Sequence, residues 1–220
     1  MPKRKGGATR QRGSTAKEGM MSDERRQQIV EAARQLYEEQ GLSRTSVKDI
    51  SERCSMTRSL FYHYFPDKQA VTSAVLDDYI ADYIESLALW DSEREVGNIE
   101  NALTGVVKVL RLGVFEGSSF RRSLDTKENA SLYLQFINRV ADRTATFFVE
   151  TTVRDYAKLH EVKIEHLYET FYVLILGICG YIRTHRDADD DVLKDIIAQT
   201  LHMERGYNVA PSENAADAQE

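Results

Sequence analysis

The sequence predicts an all-α protein, on three observations. Its three prolines stand at 2, 66 and 211, so more than 140 residues, from 67 to 210, carry none. Apolar residues recur through that span at helical spacing. Gly/Pro turns are too sparse for a β-sandwich. With 220 residues, 42% apolar and 29% charged, the chain has ample material for a core. Its longest uncharged apolar run, Phe171–Ile182, is twelve residues, too short to span a bilayer. The N-terminus is charged and lacks the apolar stretch of a secretory signal. Cys54 and Cys179 lie far apart in apolar-periodic segments and read as reduced core thiols of a cytoplasmic protein.

Residues 1–21 are polar and Gly-rich, and are expected to be disordered. Ser22 is expected to cap a first helix, with Asp23 and Glu24 in its first turn. Ile29, Ala32, Ala33, Leu36 and Tyr37 mark its inner face as far as Gly41, a C′ glycine. Ser46 and Asp49 form an acidic capping box that opens a second helix, with Val47, Ile50 and Cys54 inward. After the tight connection Cys54-Ser55-Met56, a third helix over 57–65 stops at Pro66. Asp67 can cap a long fourth helix whose apolar face is Val71, Val75, Tyr79, Tyr83 and Leu87. Three short helices and then a long one is a DNA-binding layout.

A fifth helix is expected after Gly97-Asn98, on Ile99, Leu103, Val106, Val107 and Leu110. Gly117-Ser118-Ser119 predicts a break before a short helix around 120–124. From 127 to 158 the pattern Tyr133, Phe136, Val140, Phe147, Val153 is periodic but too long for one helix, so a break is expected. Leu167, Phe171, Leu174, Ile178 and Ile182 define a helix over about 163–186, apolar nearly all round and so buried on several sides. A last helix, about 189–205, carries Val192, Leu193, Ile196, Ile197 and Leu201. Gly206 ends it, and an acidic tail, 207–220, is expected to be disordered.

The net charge of −6 is unevenly spread. Residues 1–21 carry six bases and one acid, residues 22–68 eight of each, and residues 69–220 fifteen bases and 26 acids. An acidic body with a basic or neutral N-terminal third suggests that a polyanion meets the N-terminal end. The expected organisation is a basic tail (1–21), a helix-turn-helix domain (22–68), a second helical domain (69–206) and the acidic tail. In the third helix Phe61 and Phe65 can face inward, leaving Thr57, Arg58, Ser59, Tyr62 and His63 outward. One apolar seam and one polar face suit a helix that enters a DNA groove.

The segments Val47-Lys48-Asp49-Ile50 and Met56-Thr57-Arg58-Ser59-Leu60-Phe61-Tyr62-His63-Tyr64-Phe65-Pro66-Asp67-Lys68 resemble the signature of the TetR (tetracycline-repressor-like) family of bacterial transcription regulators. The chain departs from that signature at Ser51 and Cys54, where the family favours alanine, at Ser55, in place of the turn glycine, and at Leu60, in place of threonine. The resemblance implies that Thr45 and Ser46 meet phosphates and that Thr57 opens the recognition helix. It places Arg58, Ser59 and Leu60 at base edges, with Arg58 bidentate to guanine. Tyr62 and Tyr64 would touch phosphates, His63 a base or phosphate, and Lys68 would clamp a phosphate.

The same resemblance implies a C-terminal domain for ligand sensing and dimerisation. Its last two helices would pair across a two-fold axis through Phe171, Leu174, Ile178, Ile182, Leu193 and Ile197, with Gly177 and Gly180 permitting close approach. Trp90, Phe115, Phe120, Tyr133, Phe136, Phe147 and Tyr172 are the aromatic candidates for a ligand pocket. His160, Glu161, Glu165 and His166 could be read as a metal cluster, but solvated helix residues are the plainer reading; no metal, cofactor or catalytic set is expected. The implied function is a dimeric repressor, not an enzyme, that leaves a palindromic operator in double-stranded DNA when an unidentified small molecule binds. The implied setting is the bacterial cytoplasm, on the nucleoid when bound. Two alternatives stand beside this one: a ligand-independent regulator, and a small-molecule-binding helical protein with a vestigial DNA motif.

Overall fold

The computed structural model describes residues 11–95, 97–114, 120, 123–124, 126–158 and 160–203. Nine α-helices and one 3₁₀ turn are present among the described residues, with no strand. They fall into two compact units, divided between Asp78 and Tyr79.

The first unit begins with α1, Gln11–Gln40. This corrects the expected start: Ser22 lies within the helix and caps nothing, and residues 11–21 are helical. Once the turns over Ile29–Tyr37 are fixed by burial, extending a helix costs little per residue, so it propagates back toward the N-terminus. Residues 1–10 of the expected tail lie outside the described residues. Gly41 closes α1 at φ +85°, its N–H donating to the Tyr37 carbonyl at 3.0 Å.

The helix α2, Val47–Arg53, opens on the expected capping box. The Ser46 N–H donates to Asp49 Oδ2 at 2.7 Å, and the Asp49 N–H donates to Ser46 Oγ at 3.3 Å. These bonds from Ser46 hold the Asp49 carboxyl below the usual range. The turn after α2 is a complete Schellman motif. Met56 N–H donates to the Ser51 carbonyl (2.9 Å) and Ser55 N–H to that of Glu52 (3.0 Å). Ser55 sits at φ 51°, where glycine is the usual occupant.

The helix α3, Arg58–Tyr64, is capped by Thr57, whose hydroxyl accepts from the Leu60 N–H at 3.2 Å. The helix α4, Lys68–Glu93, starts on Asp67, which accepts from the Ala70 N–H at 2.7 Å. Its 26 residues span about 39 Å. The first unit takes in the opening three turns of α4, ten residues beyond the expected boundary at 68/69, because these turns pack on α1. Buried Tyr37 donates to Thr72 Oγ1 at 2.8 Å, and burial pushes its phenol up to about 12. Asp78 accepts from Arg34 and from Gln27.

In the second unit α5, Ile99–Val114, starts from Asn98, whose side chain accepts from the Asn101 N–H at 3.0 Å. Of the segment 115–125, the described Phe120 and Leu124 are both buried. A 3₁₀ turn, Lys127–Asn129, leads into α6, Ala130–Glu150. The expected break falls at Thr151 (φ −117°, ψ −79°), whose hydroxyl bonds back to the Phe147 carbonyl at 2.7 Å. Thr151, Thr152 and Val153 are β-branched, which weakens the helix where it interrupts. A single turn, α7, Thr152–Tyr156, follows.

The helix α8 is Leu167–Thr184 and α9 is Asp190–Thr200, both shorter than expected. Residues 161–166 are irregular, and Val162 and Ile164 there are partly covered without a helical register. The end of α9 is a second Schellman motif with a non-glycine C′: His202 lies at φ 52°, and Met203 N–H donates to the Ala198 carbonyl at 2.8 Å. It stops the helix before Gly206, which lies outside the described residues, as does the tail 207–220. α6 packs on α8, and α5 packs on both α8 and α9. Buried Cys179 has its thiol pushed up to about 12 by desolvation, so it is unreactive. Among the described residues, no helix is long and apolar enough to cross a membrane.

Ser55→Gly should raise the free energy of unfolding by about 0.5–1 kcal/mol. The left-handed conformation costs an L-residue roughly 1–2 kcal/mol, and the extra freedom of an unfolded glycine offsets part of the gain. Urea unfolding of the two proteins checks this; a lower midpoint for the glycine variant contradicts it.

Candidate functional site

A seven-residue helix cannot hold itself together in water. α3 exists because Phe61 and the capping Phe65 are buried, their ring centroids 5.9 Å apart. Arg26 from α1 lies over the Phe65 ring, 4.8 Å from its centroid, which adds a cation–π contact. With the apolar seam fixed, the remaining side chains are forced outward. Arg58, Ser59, Leu60, Tyr62 and His63 are all exposed, Tyr62 at 52%, and Tyr64 is half-buried. A donor fork, a hydroxyl, a branched apolar group, a phenol and an imidazole thus share one short convex surface. Those groups can hydrogen-bond base edges, touch a thymine methyl or approach phosphates.

Three residues assigned to DNA contact on resemblance have other partners in the structure. Thr45 is 2% exposed, so the surface role expected of it is corrected. Its hydroxyl donates to the Gly41 carbonyl (2.9 Å) and accepts from Gln40 Nε2 (3.3 Å), which closes the α1–α2 connection. Ser46 is exposed, but its hydroxyl is engaged by Asp49 in the capping box. Lys68 is half-buried and donates to the Leu42 carbonyl at 2.6 Å; burial lowers the pKa of its ammonium. An ammonium has three donors, so this anchor fixes where its other N–H groups point.

The second unit contains a cavity of about 470 Å³, within the range of small-molecule sites. Leu103, Val106, Phe148, Phe171, Ile175 and Ile178 give it apolar walls, and Trp90, Tyr156 and His160 add polar atoms. Trp90 meets Phe148 edge-on at 5.9 Å, and Phe148 stacks on Phe171 at 5.4 Å. Beneath this wall Arg94, its side chain 8% exposed, pairs with Asp91 (2.7 Å) and Asp155 (3.2 Å). Thr152 donates to Asp91 at 2.8 Å. These bonds tie the C-terminal end of α4 to α7.

Of the aromatic candidates among the described residues, only Trp90 lines this cavity. Phe120 is core, stacked on Tyr79 at 5.4 Å, and Phe136 is buried in α6. Tyr133 lies under Arg183, Phe147 is half-buried beside Phe148, and Tyr172 donates to Asn138. Phe115 lies outside the described residues. Sequence reasoning missed Phe148, although the buried series Phe136, Val140, Thr144, Phe148 runs at intervals of four and points to it rather than to Phe147.

The residues expected at a dimer contact are also corrected. Phe171, Ile178, Ile182, Leu193 and Ile197 are buried within this one chain. Four of the six expected residues, Phe171, Leu174, Ile178 and Ile197, line the cavity. Exposed on the same helices are Val173, at 67%, Tyr181, Val192 and Ile196. A Cβ added at Gly177 or Gly180 would meet nothing within 4 Å, so both open outward. Residues 161–166 form no helix, and among the described residues no cluster of His, Cys, Asp or Glu could hold a metal.

Residues 29–75 match the family described as bacterial regulatory proteins, tetR family. The chain is 32% identical over 94 residues to the HTH-type transcriptional regulator TtgR of Pseudomonas putida, covering 43% of this chain and 42% of TtgR. It is 36% identical over 56 residues to the uncharacterised HTH-type transcriptional regulator YuxN of Bacillus subtilis, covering 26% of this chain and 19% of YuxN. The chain thus spans less than half the length of these curated relatives. Among solved structures, the TetR family repressor AlkX from a Dietzia species is similar at TM-score 0.56 and 18% identity, over 80% of this chain and 95% of AlkX. RolR in complex with resorcinol is similar at TM-score 0.54 and 19% identity, over 84% of this chain and 89% of RolR. At these identities the likeness is one of fold.

Thr45→Val should destabilise the protein by about 1–3 kcal/mol, since it strips partners from buried polar groups. Ser59→Ala, on the exposed face, should change stability by less than about 0.5 kcal/mol. Thermal unfolding of both variants tests the division; equal losses would show that Thr45 is not the buried closure of the loop.

Proposed function

With residues 29–75 carrying the N-terminal domain of the tetR family of bacterial regulatory proteins, we propose that the chain is a dimeric, sequence-specific repressor released from a palindromic operator by a small molecule. The observation that carries this reading is α3. Its only buried side chain is Phe61, and five consecutive or near-consecutive side chains on its other face are free to meet a groove. Arg58 is the residue for bidentate contact to guanine, and Tyr62, His63 and Tyr64 flank it toward the phosphates. Lys68, held by Leu42, presents its remaining donors to a phosphate.

Dimerisation uses the outward face of α8 and α9. Val173, Gly177, Gly180 and Thr184 recur at intervals of four, three and four, so they share one face. The glycines allow a second copy's helix to approach closely, and Val192 and Ile196 extend the apolar surface. Two recognition helices would then enter successive major grooves about 34–36 Å apart. The effector site is the cavity. α4 runs unbroken from Lys68, beside the DNA-contacting residues, to the turn holding Trp90 in the cavity wall. A ligand that displaces Trp90 or loosens Arg94 from Asp155 therefore acts on the helix that carries the DNA-binding domain. A coupling of roughly 1–3 kcal/mol suffices to change operator affinity 5–150-fold.

A gel shift with the intergenic DNA beside the chain's own gene tests the reading; absence of a specific complex at low salt refutes it. Arg58→Ala should then lower specific affinity by roughly 1–3 kcal/mol and relax preference at one position per half-site. Fluorescence anisotropy against single-base operator variants checks this, and an unchanged preference profile contradicts the assignment.

Val173→Glu should yield folded monomer by analytical ultracentrifugation, because the charge is placed at an interface and not in the core. Ile178→Glu should instead lower thermal stability, since it buries an unpaired charge. A fully dimeric Val173→Glu protein would rule out this face.

A further inference from the structure

The cavity in the second unit is polar on one side. Apart from Trp90 and His202, every hydrogen-bonding side chain that lines it comes from residues 152–163. Most of these groups are already engaged or turned away. The Thr152 hydroxyl donates to Asp91. Trp90 Nε1 is pressed against Gly105, where an added Cβ would stand 2.0 Å from it, so the backbone of α5 shields that donor. Glu161, Lys163 and His202 are exposed. His160 stacks its ring on Tyr156 at 4.5 Å, and among the described residues its Nε2, like Trp90 Nε1, is buried without a hydrogen-bond partner. A buried polar atom left unpaired is costly, so a ligand that supplies the missing partner gains affinity.

We infer that the cavity binds an uncharged, largely apolar molecule bearing a hydroxyl group, a phenol or an alcohol, whose hydroxyl pairs with His160 Nε2. The inference rests on the effector-responsive reading above and names the chemical class of the effector. Charge is disfavoured on both sides. A carboxylate head would need a buried cation, yet Lys163 is exposed and Arg94 is held by Asp91 and Asp155. An ammonium head would need a buried anion, and Glu161 is exposed. Imidazole Nε2 donates in one tautomer and accepts in the other. A hydroxyl satisfies either, whereas an ether or ketone satisfies only the donor form. The aliphatic and aromatic walls bury the rest of the molecule.

Trp90 is the single tryptophan of the chain and lines the cavity, so its fluorescence in the full-length protein reads occupancy directly. The probes are para-butylphenol, para-butylcyclohexanol, para-butylanisole and para-butylbenzoate, with excitation at the red edge where phenols do not absorb. The phenol or the cyclohexanol should bind at least tenfold more tightly than the ether and the carboxylate. Whichever of the two binds more tightly identifies an aromatic or an aliphatic source. His160→Phe should erase the advantage of hydroxyl over ether while leaving ether affinity nearly unchanged. His160→Leu serves the same purpose should the phenylalanine variant melt at a lower temperature. Equal binding of phenol and anisole by the unmodified protein, tighter binding of the benzoate, or a hydroxyl advantage that survives both substitutions would overturn the inference. A gel shift with the same probes separates it from the underlying reading. A hydroxyl probe that fills the cavity but leaves DNA affinity unchanged refutes effector-controlled release while leaving the site assignment standing. Intact DNA binding with no probe bound overturns the site assignment alone.

Discussion

The first unit depends on the burial of two phenylalanine rings. α3 is too short to be stable alone, and Pro66 prevents its extension. Phe61 and Phe65 dock it against the body of the unit, and that docking leaves one face for solvent. The supporting contacts set its angle. The Schellman turn at Ser55 ends α2, the Thr57 cap starts α3, and the Lys68–Leu42 bond anchors the start of α4. Each spends polar groups within the unit so that the outward face of α3 spends none. The outward face of α3 is a remainder: what is left exposed after every structural demand is met.

The second unit solves the opposite problem. Instead of projecting side chains outward it keeps a space inside, and the helices that enclose it are pinned at their edges. Arg94 ties α4 to α7, Lys194 ties α9 to Glu100 of α5 at 2.6 Å, and Arg111 reaches Asp190 at 2.6 Å. Tyr168 and Tyr172 bond across from α8 to Asp142 and Asn138 of α6, each at 2.7 Å. With the edges fixed by polar bonds, the interior need not be close-packed to hold its shape. A helical unit can therefore be rigid and hollow at once.

Much of the first unit was legible in the sequence because its signals are local. Gly41, the Ser46–Asp49 box, Asp67 and Pro66 each act within a few residues, and all stand where their chemistry places them. The outward placement of Arg58, Ser59, Tyr62 and His63 followed from the four-residue spacing of the phenylalanines, whereas exposed Leu60 was not among the residues read as outward from it. Thr45 was misjudged because polar residues were read as surface, and no local pattern says that its hydroxyl, or the Lys68 ammonium, turns to a backbone carbonyl. The second unit was less legible for a related reason. An apolar stripe says that a side chain is covered but not by what: Ile178 and Ile197 face a cavity in their own chain rather than a second copy. Aromatic identity was no better a guide, since Phe147 and Phe148 differ only in which way one step of the helix turns them.

The interruption at Thr151 has an evolutionary consequence. Had α6 continued as a rod, Tyr156, His160 and residues 161–164 would have been carried away from the space they now border. Because it breaks, the irregular residues 161–164 border one side of the cavity. On the function proposed above, substitutions there would alter which molecule is recognised without disturbing the α6–α8 packing. On that same proposal, a new chemical trigger would need changes in only a handful of neighbouring codons.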